Sequence, residues 1–198
     1  MSVFQRKPAS QFPRSVIRIY TEGKKTEPNY FNAIKDELKR NEIEIIVDGR
    51  GDHTLSLVEW VINKKENERN DPAFVTEWWV VFDKDEHLDF NHAIELAEKN
   101  KIQVAYSNEC FELWFILHFE YLQTAINRKA FNTKLTKLLS RKYEKNSNIY
   151  SIIKEKEAFA IKNAKKLEEM HLSENRVNQA LRNPSTTVYK LVERLRKI

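Results

Sequence analysis

Three carboxylates stand at the ends of apolar, strand-like runs: Glu22 after SVIRIYT (15–21), and Asp83 and Asp85 closing WWVVFDKD. Acidic oxygen donors with no cluster of His or Cys beside them suit a hard divalent cation, Mg²⁺ or Mn²⁺, rather than zinc. Side chains alternate along an extended strand, so the D-x-D spacing is expected to send Asp83 and Asp85 to one side and Lys84 to the other. Two carboxylates so placed repel one another unless a cation or a proton lies between them. Gly23 lets backbone approach a ligand closely, and Lys24 and Lys25 follow it within reach of phosphate oxygens. Glu22 either ligates the metal or orients a water; its residue type allows both.

Such a site needs strand tips that converge. SVIRIYT, IEIIVDG (43–49), TEWWVVFDKDE (76–86) and IQVAYSN (102–108) read as strands. Helical spacing runs through PNYFNAIKDELKR, HTLSLVEWVINKKENER (with Thr54 as N-cap) and NHAIELAEKN, while FELWFILHF (111–119) is apolar all round and reads as a buried helix. Strands alternating with helices predict an α/β fold with a mostly parallel, four-stranded sheet. In open parallel sheets, sites form outside the carboxyl ends of the strands. Strand 1 then delivers Glu22, strand 3 Asp83 and Asp85, and strand 4 Ser107 and Asn108 as further phosphate contacts. A shared metal requires strands 1 and 3 to be neighbours.

Other polar residues have two readings. Glu112 opens an apolar helix, where it either complements the helix N-terminus or supports the site from behind; Glu27, in GKKTE, is a second supporting candidate. His118 follows Trp114 by four residues and shares its face, which favours a packed histidine over a general base. His53 lies in a glycine-rich loop with nothing to fix its direction. Cys110 has no evident base and is expected to be inert. The GKKTE stretch lacks the G-x-x-x-x-G-K-[ST] spacing of a Walker phosphate loop.

The charge is divided. Residues 1–120 hold 16 Lys/Arg against 22 Asp/Glu, and residues 121–198 hold 18 against 7. The second part reads as helices near 128–140, 153–170 and 185–197, with no strand. The expected organisation is therefore a flexible N-terminal segment (1–14), an α/β core (15–120) and a basic, all-helical extension packed on it (121–198). Lys165, Lys166, Arg182, Arg194 and Arg196 are the candidates for gripping a nucleic-acid backbone. With 41% hydrophobic residues the chain can bury a core. One cysteine excludes an internal disulfide. No apolar h-region opens the chain and no apolar stretch reaches the ~18 residues of a membrane span. A cytoplasmic protein with no membrane partner is expected.

The segments YTEGKKTEPNYF, VFDKDEH, SNECFELWFILHF and NPSTTVYKLVERL, in that order, resemble the RloB-like family, which includes the smaller partner of AbiL-type phage-defence pairs. The chain departs from the family pattern at Glu109, where the family has Pro. That family is in turn similar to Toprim-fold proteins, which carry a Glu after strand 1 and a D-x-D after strand 3. The resemblance implies a Toprim-like core with catalytic and metal-binding roles for Glu22, Asp83 and Asp85. It also implies an ABC- or SMC-like ATPase partner and a role in abortive infection. The expected activity is phosphodiester hydrolysis of RNA or DNA with Mg²⁺ (or Mn²⁺). The alternatives are a non-catalytic regulatory subunit that binds nucleic acid or nucleotide, and a phosphoryl- or nucleotidyl-transfer enzyme. Self-association stays open.

Overall fold

The computed structural model describes residues 15–38, 43–68 and 75–197; the expected N-terminal segment 1–14 lies outside them. Strands β1 (Ser15–Thr21), β2 (Ile43–Gly49), β3 (Val75–Asp83) and β4 (Gln103–Asn108) pair in parallel. Helices α1 (Thr26–Leu38), α2 (Thr54–Asn67) and α3 (Phe90–Lys99) connect them. The sheet order is β2-β1-β3-β4-β5, so β1 and β3 are neighbours, as a shared site at their tips requires.

Strand alternation divides the core into two layers. Ile17, Ile19, Trp79, Val81 and Ala105 face one cluster, whereas Tyr20, Trp78, Val80, Phe82 and Tyr106 face the other. The second layer is closed by α2 and α3, through Leu57, Val58, Val61, Phe90, Ala93 and Ala97. Apolar side chains on both faces explain why β3 reads as a nearly continuous hydrophobic run. The first layer is thicker. It takes Tyr30, Phe31 and Ile34 from α1, and all six residues of α4 (Glu112–Leu117) are buried. It also takes Phe131 and Leu135 from α5 (Arg128–Leu138), Ala160, Ala164 and Leu167 from α7 (Glu157–Ser173), and Leu191, Val192 and Leu195 from α8 (Val188–Arg196). A short α6 (Tyr150–Ile153) and a 3-10 turn lead into α7, and a second 3-10 turn (Gln179–Leu181) follows it. Residues before and after position 120 thus share one core layer.

Three expectations are corrected. The sheet has five strands, and the region after 120 is not all helical, because Ser185–Thr186 forms β5, antiparallel to β4. The β4 edge has backbone groups that need partners. Ser185 and Thr186 lie opposite Asn108 and Ser107, and the Thr187 amide donates to the Tyr106 carbonyl at 2.8 Å. Two residues are too few to show a periodic pattern, and the NPSTT stretch therefore reads as a helix start until β4 is in place. Strand β3 also ends earlier than expected, at Asp83. Asp85 follows in a turn with φ 39°, a left-handed conformation that Asp tolerates better than most residues.

Candidate active site

The tips of β1 and β3 open into a cavity of about 290 Å³. Five carboxylates line it: Glu22, Glu27, Asp83, Asp85 and Glu112. Four cations share the lining: Lys24, Lys25, Arg128 and Lys145.

Glu22 leaves β1 with its amide still paired to the Val81 carbonyl at 2.9 Å. Its Oε2 accepts from the Asp83 amide and from the Thr54 hydroxyl, both at 3.2 Å, and Oε1 lies 3.2 Å from His87 Nε2. Burial pushes the Glu22 carboxyl above its ordinary range, and those hydrogen bonds and His87 oppose the shift. Thr54 thus serves Glu22 rather than capping α2, whose N-cap is His53 without a side-chain bond. The His53 ring stands edge-on to His87, centroids 5.6 Å apart.

Asp83 is 7% exposed and closes β3. Its Oδ1 is buried with no hydrogen-bond partner, and its Oδ2 lies 3.7 Å from the Arg128 guanidinium. Burial, followed by the charges of Glu27, Glu112 and Glu22, holds its carboxyl well above the usual carboxylate range. Asp85 reaches the same pocket by another route than strand alternation. Its positive φ turns the chain, its amide donates to the Glu109 carbonyl at 3.2 Å, and its Oδ2 pairs closely with Arg128. Glu109, the departure from the family pattern, enters through that carbonyl and is not among the cavity-lining residues.

Behind this pair sits a second, drier pair of acids. Glu27, in the first turn of α1, is 6% exposed; burial and the nearby Glu112 raise its pKa to about 7. Glycine at 23 makes this placement sterically open, since a Cβ there would stand 2.1 Å from Glu27 Oε2. Glu112 accepts from the Tyr143 hydroxyl at 2.9 Å. Gly51, with φ +74°, lies against Lys24: a Cβ there would stand 2.0 Å from Lys24 Cε.

The other expected site residues go elsewhere. Ser107 bonds the Thr186 hydroxyl at 2.9 Å, and the Asn108 amide donates to the Ala180 carbonyl at 3.1 Å. Bonds to β5 and to the 3-10 turn before it thus hold the two side chains outside the cavity lining. His118 Nδ1 lies 2.8 Å from the Trp114 carbonyl, and burial lowers its pKa to about 4, so it is a neutral packed histidine. Cys110 is buried, which pushes its thiol well up and leaves it inert.

The five residues expected to grip nucleic acid are engaged within the fold. Arg182 is buried and donates to the Arg176 and Val177 carbonyls. Arg194 pairs with Glu77, and Arg196 joins Glu157, Glu37 and the Tyr150 hydroxyl. Lys165 pairs with Glu193 at 2.7 Å, and Lys166 lies 4.2 Å over the Tyr121 ring. The cations that the basic extension brings to the cavity are instead Arg128 and Lys145. Neither carries a local sequence signal, because Arg128 arrives with the packing of α5 on α4 and Lys145 with the segment between α5 and α6. His87 was legible in principle, two residues beyond the D-x-D.

By donor chemistry the cavity fits a hard cation, and the unpartnered Asp83 Oδ1 gives it one unsatisfied oxygen. It is not a preformed cage, since no three His, Cys, Asp or Glu side chains among the described residues are grouped to hold a metal. No described helix is long and apolar enough to cross a membrane. Neither a curated protein nor a solved structure matches the chain. The RloB-like protein family matches residues 17–195, and the chain belongs to that family.

Proposed function

We propose that this protein is a Toprim-like, Mg²⁺- or Mn²⁺-dependent endonuclease that hydrolyses phosphodiester bonds in RNA or DNA. The observation that carries the reading is Asp83. A buried carboxylate with one unpartnered oxygen, crowded by other acids, stays charged only when a cation meets it. Asp83 and Asp85 would hold the metal, with Glu22 beside them. A cation there supplies charge neutralisation on the phosphate and lowers the pKa of a bound water. Lys24, Lys25 and Lys145, at the cavity lining, would hold the flanking phosphates. Glu22, steered by Thr54, the Asp83 amide and His87, has one carboxylate oxygen for each side of the site and would orient the attacking water. The phage-defence setting and the control by an ABC- or SMC-like ATPase come from the family resemblance, not from the cavity.

A specific observation favours a second reading. Both Glu22 oxygens already have partners and, among the described residues, no three-ligand group stands ready, as suits a regulatory subunit that binds nucleic acid or nucleotide without cutting. One experiment separates the two. Purified protein is incubated with tRNA, plasmid and single strands in Mg²⁺, Mn²⁺ or EDTA, beside Asp83→Asn plus Asp85→Asn. Metal-dependent cleavage is expected, reduced more than about 100-fold in the double variant, since loss of outer-shell partners alone costs 10–100-fold. Calorimetric metal binding that is undiminished in the double variant would remove the metal site from these two residues.

A further inference from the structure

We infer that Arg128 is the resident counter-cation of the metal carboxylates, exchanged for the divalent ion and thereby released to bind the substrate phosphate. The inference rests on the reading of Asp83 and Asp85 as metal ligands. The Arg128 guanidinium lies on both of them, close to Asp85 Oδ2 and 3.7 Å from Asp83 Oδ2. A Mg²⁺-sized ion takes carboxylate oxygens at about 2.1 Å. An ion bound by both carboxylates, even through Asp83 Oδ1, stands close to a guanidinium that lies on both Oδ2 atoms, and the two cations repel. The guanidinium is the one able to move away. Its side chain is 42% exposed, and the backbone beneath it is held by the Asn127 cap on the Ala130 amide. A swing of the side chain alone therefore suffices.

Charge gives the exchange its direction. Five carboxylates and four cations share the lining, and a divalent ion adds two positive charges to it, which favours the approach of a phosphate. It also frees the one planar, bidentate donor in the lining, which matches a phosphate better than the point charges of the lysines. The order of binding follows: metal before nucleic acid.

Mn²⁺ titration of the parent, Arg128→Gln and Arg128→Lys, in the absence of nucleic acid, tests the exchange. Removing a competing charge-assisted bond should tighten Mn²⁺ binding roughly tenfold in Arg128→Gln. Arg128→Lys, which keeps the charge, should stay near the parent. In Mn²⁺-saturated protein, Arg128→Gln should bind a phosphorothioate-protected single strand about tenfold more weakly than the parent. Equal or weaker Mn²⁺ binding by Arg128→Gln, with the parent binding normally, overturns this inference alone and leaves a merely structural Arg128. Equal binding of the strand overturns its substrate role. A parent that binds no Mn²⁺ overturns the function proposed above together with this inference.

Discussion

The strand-tip cavity and the face made by α7 and α8 carry comparable numbers of charges and treat them in opposite ways. On the helical face most of the cations have an acid close by, and Lys166 lies over the Tyr121 ring. Arg196 alone engages Glu157, Glu37 and Tyr150, and Lys190 and Lys165 hold Glu168 and Glu193. In the cavity, acids face acids: Asp83 keeps an unpartnered oxygen, and burial, with Glu112 close by, shifts Glu27 upward. Paired exposed charges contribute little and are interchangeable with solvent. Crowded buried ones cost stability, and a fold retains such a cost most readily where a ligand offsets it. Net charge along a chain therefore locates basic segments, but it does not tell which charges are free to meet a partner.

The sharpest way to break this contrast is to neutralise one crowded acid. An unfolded Glu ionises near its ordinary value, whereas Glu27 in the fold does so at about 7. Between those values the native state binds a proton that the unfolded chain has lost, so stability falls as pH rises and levels off above about 7. Glu27→Gln should remove that decline. Denaturant midpoints in EDTA should diverge between about pH 5 and about pH 8, the variant gaining on the order of 3 kcal/mol at the upper end. Parallel curves for parent and variant would show that Glu27 is not held protonated by its surroundings.

A smaller effect tests the steric basis of the same acid pair. In Gly23→Ala the new Cβ would meet Glu27 Oε2 at 2.1 Å, forcing the carboxylate out of its niche. Overpacking of this kind costs about 1–3 kcal/mol. The displaced Glu27 should then regain an ordinary titration, so the pH-dependent decline should shrink together with the stability. A loss of stability that keeps the parent's pH profile would mean that the loop moved and the acid did not.

The strand tips were legible because a parallel α/β unit follows from period and order alone, although β3 stops at Asp83, short of its expected end. Glu22 and Asp83 line the cavity for that reason, and Glu27 lines it from the first turn of α1. Asp85 lines it too, but through a left-handed turn that alternation does not describe. What stayed hidden depends on contacts far apart in the chain. Arg128 approaches Asp85 across 43 positions, and Tyr143 approaches Glu112 across 31. Ser107 and Asn108 lay at a correct strand tip, yet the Ser107 side chain turned to β5, a two-residue strand with no pattern of its own, and the Asn108 side chain to Ala180 in the 3-10 turn before it. The tail arginines carried the right charge, but their acids lie elsewhere in the sequence, as Glu77 does for Arg194.

The smallest expected effect concerns where nucleic acid is held. Lys165 and Glu193 are 45% and 30% exposed, and such a pair contributes about 0–1 kcal/mol. Lys166 over Tyr121 adds a similar amount. Lys165→Gln plus Lys166→Gln should therefore change stability by at most about 1–2 kcal/mol. It should also leave the salt dependence of nucleic-acid binding unchanged, because Lys165 already faces a carboxylate and Lys166 lies over the Tyr121 ring, both away from the cavity lining. Lys24 and Lys25 are exposed at the cavity mouth. Each phosphate contact they make contributes about 0.9 to the slope of log affinity against log salt on duplex, or about 0.7 on single strands. Lys24→Gln plus Lys25→Gln should flatten that slope by about 1.4–1.8 if both contact phosphates. A slope that flattens in the tail variant and not in the cavity variant would return the grip to α7 and reverse the contrast between the two regions.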